Sequence, residues 1–109
     1  MPIKKLKPVH PGEILQEEFL KPLKISQYRL AKETSVSAIR ISEIIRKKRS
    51  VSADTALRFG KYFSTSAEFW LNLQAHYDLA ICSDKISQDL KYKVKVFKTE
   101  KNEKKLTNA

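Results

Sequence analysis

Residues 26–46, SQYRLAKETSVSAIRISEIIR, contain two short helical segments separated by a break of only four residues. Ser26 and Ser37 are favourable N-cap residues, because a serine hydroxyl accepts a hydrogen bond from a backbone N–H in the first turn of a helix. The linker TSVS at 34–37 interrupts the helical pattern between the two segments. Helices joined by so short a turn cross closely, and the small side chain of Ala31 permits that approach. The spacing therefore predicts a helix-turn-helix.

The second helix of this pair, Ser37–Lys47, is amphipathic. At about 100° per residue, Ile41, Ile44 and Ile45 share one face, which we expect to lie in the core. The outward N-terminal half carries side chains of mixed chemistry, namely Ala38, Ile39, Arg40 and Glu43. The helix end and the following loop carry only positive charge, on Arg46, Lys47, Lys48 and Arg49.

This division of charge suits a DNA-binding protein. The N-terminal end of the second helix reads base edges in the major groove, whereas basic loops and helix N-termini bind phosphates. The chain has a formal net charge of +10 and a pI of about 9.8, and a small domain this basic usually meets a polyanion. An acidic membrane, an acidic partner or plain solvation would also explain residues 46–49. The helix-turn-helix setting favours phosphate contacts.

Two further helices flank the pair. HPGEILQEEFLKPL at 10–23 predicts the first helix, in which His10 is the cap and Pro11 occupies the first helical position, where its missing N–H costs nothing. Pro22 is expected to end the regular part of that helix. SADTALRFGKYF at 52–63 predicts the fourth helix, capped by Ser52 and weakened at Gly60 by up to about 1 kcal/mol. Its expected apolar stripe consists of Ala53, Ala56, Leu57 and Phe63.

A fifth helix is predicted over 66–82, because Thr65-x-x-Glu68 has the spacing of a capping box. It has two apolar faces, and a helix of this kind is buried on more than one side. We expect one face in the core and one in a subunit contact; a wholly buried central helix is the alternative. One face contains Leu71, Ala75, Leu79 and Cys82, and the residues assigned to the dimer interface are Phe69, Trp70, Leu73, Tyr77 and Ile81.

Catalytic and metal sites are not expected. Cys82 is the only cysteine, so neither an intramolecular disulfide nor a cysteine zinc site can form, and we expect it to be a small buried apolar residue. His76 and Asp78 are two residues apart on a helix and do not face each other. No cofactor is predicted. MPIKKLKPVH is not a signal peptide, and no apolar run reaches the roughly 20 residues that span a bilayer, so a soluble cytoplasmic protein is expected.

The predicted domain organisation has three parts: an N-terminal arm at 1–9, a DNA-binding and dimerisation domain at 10–82, and a basic extension at 83–109. Residues 91–109 contain seven Lys and two Glu, a net charge of +5. KYKVKVF at 91–97 alternates polar and apolar residues, which is typical of a short strand, although a helix is the other possibility for the extension. The last dozen residues are expected to be disordered.

The segment at 26–45 resembles the helix-turn-helix of the Cro/cI-repressor (XRE) superfamily. V-H-P-G-E-I-L, D-T-A-L-R-F-G-K-Y-F and S-A-E-F-W-L-N-L-Q-A-H-Y-D-L-A narrow the resemblance to HigA-type antitoxins, also called virulence-associated protein I, over about residues 9–82. The resemblance implies an all-α, five-helix, lambda-repressor-like domain and a homodimer. It also implies operator DNA and a HigB-type mRNA-cleaving toxin as partners, with repression of the protein's own operon.

The matching positions imply roles for individual residues. Gln27 and Ser37 would contact phosphate, while Ala38, Ile39, Arg40 and Glu43 would face the bases. Ile39 could meet a thymine methyl or simply be an exposed apolar residue, and Arg40 could bind guanine or a phosphate. Glu43 could accept from cytosine or orient a neighbouring arginine.

Two departures from the family pattern concern backbone geometry. The family usually has glycine in the turn, where this chain has Ser35, and N-G-K-R after the second helix, where this chain has R-K-K-R at 46–49. Glycine positions of this kind commonly need φ > 0, which other residues adopt at about 1 kcal/mol or more. Local strain is therefore expected at both turns.

Three other functions remain as alternatives. A solitary XRE-type regulator would share every feature except the toxin partner. A small basic ribonuclease toxin would have this size and charge, but it needs a cluster of acid–base side chains in an α/β frame. A protein-interaction module without a DNA role would show no salt-dependent binding to duplex DNA.

Overall fold

The structure, a computed structural model, describes residues 8–98 and contains five helices. Helix α1 consists of three consecutive segments, Pro11–Ile14, the π-helical Leu15–Leu20 and Lys21–Leu23. The others are α2 (Gln27–Thr34), α3 (Ala38–Ile45), α4 (Ala53–Phe63) and α5 (Ala67–Lys93). No strand occurs between residues 8 and 98, so the expected all-α, five-helix architecture is confirmed. The predicted arm at 1–9 and the predicted disordered C-terminus fall largely outside the described residues.

Helix α1 begins as expected, with His10 as the cap and Pro11 in the first turn. Nδ1 of His10 accepts a hydrogen bond from the Gly12 N–H at 2.9 Å. Pro22 does not end the helix, because the helical conformation continues to Leu23. The chain then turns at Lys24, whose φ of 56° is left-handed. Proline tolerates this place because the missing N–H affects only one bond near the end of the helix.

The His10 cap makes stability depend on pH. Burial lowers the pKa of His10 below its usual value, and Lys47 lowers it further, while Asp78 opposes the shift. The unfolded chain therefore takes up a proton first as the pH falls through about 6.5. Stabilisation by neutral His10 is complete above that pH and is lost below it, towards the lower folded pKa.

We expect the free energy of unfolding to fall by about 1 kcal/mol between pH 7.5 and 5.5, and this fall should depend on His10. Thermal unfolding measures it. His10→Asn keeps a capping oxygen but does not titrate, so its stability should fall less over this range. His76→Asn, at an exposed position on α5, should retain the full slope. Equal slopes for the two variants would contradict the assignment.

Serine hydroxyls cap the other four helices. Ser26, Ser37 and Ser52 each accept a hydrogen bond from the N–H three residues later, at 3.0–3.3 Å, as predicted. The predicted capping box at Thr65 is wrong. Ser66 caps α5 by accepting from the Phe69 N–H at 3.0 Å. Thr65 instead accepts from Trp70 Nε1 at 2.9 Å, because burial of the indole requires a partner for its N–H.

The core lies between all five helices, around Trp70. Its ring centroid lies 5.1 Å from that of Phe19 and 5.3 Å from that of Phe59. Ile41 and Ile44 are fully buried, and Ile45 packs against the core, as expected for the inner face of α3. The buried apolar residues are Leu15, Leu20, Leu30, Val36, Ile41, Ile44, Val51, Ala56, Phe59 and Trp70.

The predicted apolar stripe of α4 is partly wrong. Ala53 and Leu57 are exposed, whereas Ala56 is buried and Phe63 packs against the core. The buried face is rotated to include Thr55, Ala56, Phe59 and Gly60. Gly60 was expected only to weaken α4, but it also allows a close contact between two helices. A Cβ there would lie 3.1 Å from the Ala67 nitrogen and from the Thr65 oxygen, so the absent side chain lets α4 approach the start of α5.

Helix α5 is longer than predicted and leaves the core. It continues past residue 82 to Lys93, so its 27 residues span about 40 Å. The strand predicted at 91–97 is wrong, since Lys91–Lys93 are helical and residues 94–98 have no regular structure. Every described residue from 82 onward is exposed, which makes the expectation of a buried Cys82 wrong. In the part of the chain that is described, no helix is long and apolar enough to cross a membrane.

Candidate nucleic-acid interface

The turn between α2 and α3 is built from three consecutive residues with distinct tasks. Ser35 ends α2 in the left-handed conformation, with φ 57° and ψ 32°. Val36 is buried and anchors the turn to the core. Ser37 returns to extended geometry and caps α3. The positive φ expected at the family's glycine position is confirmed, and here a serine adopts it.

This strained serine predicts a stabilising substitution. Ser35→Gly removes the left-handed penalty of a Cβ, and we expect the free energy of unfolding to rise by about 0.5–1 kcal/mol, net of the greater freedom of glycine in the unfolded chain. Denaturant unfolding measures it. Ser37→Gly is the matched control, because Ser37 has φ −60° and holds a cap, so its replacement should bring no gain. A loss of stability in Ser35→Gly would contradict the role of strain.

The outward face of α3 presents the four predicted base-facing residues. Ala38 is exposed and Ile39 is 72% exposed, whereas Arg40 and Glu43 are half-buried. Burial of Ile41 and Ile44 on the opposite side fixes this orientation. The N-terminal half of α3 is therefore accessible from outside, and a helix of this kind fits a major groove about 12 Å wide.

Arg40 and Glu43 both have protein partners. Glu43 accepts from Arg49 Nε at 2.8 Å, so it orients a neighbouring arginine, one of the two roles considered for it. Arg40 Nη1 lies 3.8 Å from Asp54 Oδ1 and 3.5 Å from the Thr55 hydroxyl. All of these contacts are at least partly exposed, and such ion pairs contribute little net stability, so both side chains can exchange partners easily.

The basic loop at 46–49 follows α3 directly, and all four of its residues are exposed. Lys47 has a φ of 64° at the family's second glycine position, and its Nζ lies 3.2 Å from Glu13. The chain after the loop is tied down at Val51, whose N–H donates to the buried Gln74 Oε1 at 2.8 Å. This anchor was not foreseen, because a glutamine on a helix gives no sequence signal for a bond 23 residues away.

Gln27 and Ser37, predicted to contact phosphate, lie at the starts of α2 and α3. Gln27 is the first residue of α2, Ser37 is the N-cap of α3, and both are exposed. Helix N-termini carry unpaired N–H groups and a partial positive charge, which favours anions. The two side chains therefore lie where phosphate oxygens are readily bound.

A second set of contacts that was not predicted from the sequence connects α4 with the turn between α2 and α3. Arg58 Nε donates to Asp54 Oδ1 at 2.7 Å, and Arg58 Nη1 donates to the backbone oxygens of Thr34 at 3.0 Å and Ser35 at 3.2 Å. The i,i+4 spacing of Asp54 and Arg58 was a readable signal for the ion pair. The two carbonyl contacts depend on tertiary packing, which the spacing does not reveal.

Near this group, Glu33 of α2 accepts hydrogen bonds from Tyr62 of α4 and from Arg29. The hydrogen bond from Tyr62, followed by that from Arg29, lowers the pKa of Glu33. The bond to Glu33 raises the pKa of Tyr62. The carboxylate therefore stays ionised and joins α2 to α4. Among the described residues, no three His, Cys, Asp or Glu side chains lie close enough together to hold a metal ion.

The residues predicted for a dimer interface differ in accessibility. Trp70 is fully buried within the single chain, so its assignment to a subunit contact is wrong: the indole fills the core. Phe69 remains 37% exposed, and Leu73, Tyr77 and Ile81 are half-buried. On the other apolar face of α5, Leu71 packs against the core, whereas Leu79 is 69% exposed. The single chain therefore leaves apolar surface on α5 uncovered.

Comparisons with known proteins agree with this geometry. The helix-turn-helix family HTH_3 matches residues 17–70. Virulence-associated protein I of Dichelobacter nodosus is 55% identical over 71 residues, which are 65% of this chain and 66% of that protein. Antitoxin HigA-1 of Vibrio cholerae is 31% identical over 88 residues, which are 81% of this chain and 83% of that protein.

A solved structure is similar over most of both chains. Pseudomonas aeruginosa antitoxin HigA, solved with the higBA promoter, is 44% identical, with a TM-score of 0.78 over 81% of this chain and 96% of that chain. The chain therefore belongs to the helix-turn-helix family HTH_3, within the group that contains the HigA antitoxins and virulence-associated protein I.

Proposed function

We propose that this protein is a transcriptional repressor that binds its own operator and acts as the antitoxin of a toxin–antitoxin pair. The observation that carries the proposal is the outward face of α3. It places side chains of mixed chemistry at its N-terminal end and four exposed basic residues directly behind it. Its relative of known structure was solved with promoter DNA. Operator binding places the action of this protein in the cytoplasm.

Base recognition is assigned to Ala38, Ile39, Arg40 and Glu43. Ile39 is 72% exposed on a helix whose other face is buried, so its side chain is available to a thymine methyl. Arg40 can leave Asp54 at little cost, since the 3.8 Å pair is solvent-exposed, and can then bind guanine through two hydrogen bonds. Glu43 keeps Arg49 directed along the edge of the helix.

Phosphate binding is assigned to six residues beside this face. Gln27 and Ser37 act at the starts of α2 and α3, where backbone N–H groups also point towards an anion. The loop supplies the positive charge. The complete set is Gln27, Ser37, Arg46, Lys47, Lys48 and Arg49.

A homodimer would supply two copies of α3. Two recognition helices about 34 Å apart enter successive major grooves on one side of the duplex. The exposed apolar surface of α5 supports this association, through Phe69, Leu73, Tyr77 and Ile81 together with Leu79. In the domain organisation that we propose, residues 10–82 bind DNA and dimerise, and residues 83–109 form a basic extension.

The DNA-binding proposal is tested by titrating a labelled duplex of the protein's own promoter at several salt concentrations. If four basic residues per subunit each neutralise a phosphate, log affinity should fall with log salt with a slope of about −7 for a dimer. Arg40→Ala should reduce the preference for the promoter over a scrambled duplex by about tenfold or more.

Lys48→Ala is the control within the same experiment. It should weaken binding to both duplexes alike and leave the preference unchanged, because a phosphate contact carries no sequence information. Binding that is insensitive to salt and to Arg40→Ala would overturn the repressor proposal.

The antitoxin proposal is tested through the adjacent gene. Its product should be a small protein that cleaves mRNA, and this chain should co-purify with it and suppress the cleavage. A neighbour that neither binds this chain nor cleaves mRNA would leave the solitary regulator as the function. The chain itself is proposed to have no enzymatic activity.

A further inference from the structure

The turn between α2 and α3 lacks a bond that the other left-handed turns between residues 8 and 98 possess. Four residues other than glycine have positive φ in the described chain: Lys24, Ser35, Lys47 and Ser64. Around three of them, the next residue's N–H donates back to the carbonyl five residues earlier: Ile25 to Leu20 at 2.9 Å, Lys48 to Glu43 at 2.8 Å and Thr65 to Gly60 at 2.9 Å.

This backbone bond satisfies a helix-end carbonyl and locks the left-handed residue in place. Within residues 8–98, no such bond spans Ser35. A serine with φ 57° has an unfavourable contact between its Cβ and the following carbonyl. The turn that sets the angle between the two DNA-binding helices is therefore both strained and without its usual closure.

Arg58 supplies a different closure from outside the helix pair. Its Nη1 donates to the oxygens of Thr34 at 3.0 Å and Ser35 at 3.2 Å, the carbonyls at the end of α2. Its Nε donates to Asp54 at 2.7 Å. A guanidinium is planar, so fixing one edge on the carboxylate fixes the direction of the other edge. Asp54 thus directs Arg58 towards the turn.

The same carboxylate also faces the proposed reading surface. Asp54 Oδ1 lies 3.8 Å from Arg40 Nη1. One aspartate at the start of α4 therefore contacts both the group that closes the turn and a residue assigned to base recognition. A substitution of Arg58 would therefore affect α3 both through the backbone of the turn and, through Asp54, at the side chain of Arg40.

We propose that Arg58 is a positioning residue for operator recognition, which closes the strained helix-turn-helix turn at Ser35 while Asp54 holds it in place. It does not touch DNA in this role. The inference rests on the proposed function, since it explains how α3 is held at the angle that reading requires. Its structural part, the closure of the turn, stands independently of DNA.

The test uses Arg58→Lys, which keeps the charge but loses the planar fork. Arg29→Lys is the matched control, because it is the same conservative substitution. Arg29 also pairs with an acid four residues away, Glu33 at 3.1 Å. We expect Arg58→Lys to lower operator affinity about tenfold and scrambled-duplex affinity by less than about threefold. Arg29→Lys should change neither by more than about threefold.

Rescue separates positioning from a general loss of stability. Glycine adopts positive φ without strain, so the double variant Ser35→Gly/Arg58→Lys should recover operator affinity to within about threefold of Ser35→Gly alone. Equal effects of Arg58→Lys and Arg29→Lys, or a double variant no better than Arg58→Lys alone, would overturn the inference.

Amide hydrogen exchange gives a readout that needs no DNA. The N–H groups of Arg40 and Ile41 bond to Ser37 in the first turn of α3. Their exchange should accelerate in Arg58→Lys at least about tenfold relative to Arg29→Lys, and Ser35→Gly should reverse it. Unchanged exchange would overturn the inference. If the wild-type chain failed to bind its promoter but the exchange pattern held, the proposed function would fail while Arg58 kept its place as the closure of the turn.

Discussion

Gly12→Ala is expected to destabilise the fold by about 3 kcal/mol or more. A Cβ at Gly12 would lie 1.9 Å from the backbone oxygen of Ile44, 2.7 Å from its carbonyl carbon and 2.9 Å from Cα of Ile45. All three atoms belong to the backbone of α3, so no side-chain rotation relieves the overlap. Helices α1 and α3 would have to separate.

Gly60→Ala is the matched control for this prediction. Its Cβ would meet backbone atoms of residues 65–67 at 3.1–3.2 Å, which requires a shift of only a few tenths of an ångström. Alanine also has the better helix propensity by up to about 1 kcal/mol, which offsets part of the strain. Denaturant unfolding of both variants should show a much larger loss for Gly12→Ala. Equal losses would contradict the close contact between α1 and α3.

Replacement of Arg46, Lys47, Lys48 and Arg49 by glutamine should reduce affinity for every duplex by about 100-fold or more at physiological salt. Each lost phosphate contact removes about 0.9 from the slope of log affinity against log salt, so the slope should become less steep by about 3.6 per subunit. Most of the preference for operator over scrambled DNA should persist, because Ala38, Ile39 and Arg40 are unchanged and only Glu43 loses a partner, Arg49.

A charge-matched control distinguishes local contacts from overall charge. Glutamine at Lys85, Lys91, Lys93 and Lys95 removes the same four charges from the exposed extension, where Lys91 and Lys93 lie in the last turn of α5. We expect a drop of less than about tenfold there, through weaker long-range attraction. Equal losses for the two sets would contradict the assignment of phosphate binding to the loop at 46–49.

Local rules were sufficient for much of the helix-turn-helix. The caps at Ser26, Ser37 and Ser52 and the start at Pro11 depend on residues only a few positions apart, and each lies where it was predicted. The inner face of α3 was also predictable, because Ile41 and Ile44 lie on a short helix with a clear 3.6-residue period. The positive φ at Ser35 followed from the family pattern.

Tertiary packing decided two of the features that were missed, the inner face of α4 and the place of Trp70. Thr55 is buried although it is polar, which rotates the inner face of α4 away from the predicted stripe. Trp70 lies on the inner side of α5 rather than at a subunit surface. The extension of α5 past Ser83 was missed because KYKVKVF alternates like a strand. The lysines of this segment favour a helix by propensity, and the helix is what forms as far as Lys93.

In the candidate site, too, some features follow from local sequence patterns and others depend on tertiary packing. The outward residues of α3 and the basic loop were identified from spacing and charge alone. The anchor from Gln74 to Val51 and the contacts of Arg58 with the turn join residues 23 or 24 positions apart. Helical periodicity carries no information about such pairs.

The most direct test of the account is a dimethyl sulfate footprint of the protein on its own promoter. Guanine N7 lies in the major groove and adenine N3 in the minor groove, so the reagent reports which groove is occupied. We predict protection of guanine N7 in two half-sites about 34 Å apart. In the Arg40→Ala variant, this protection should be lost first around the base that Arg40 contacts in the wild-type protein. Protection confined to adenine N3, or binding with no protected guanine, would contradict the entry of α3 into the major groove.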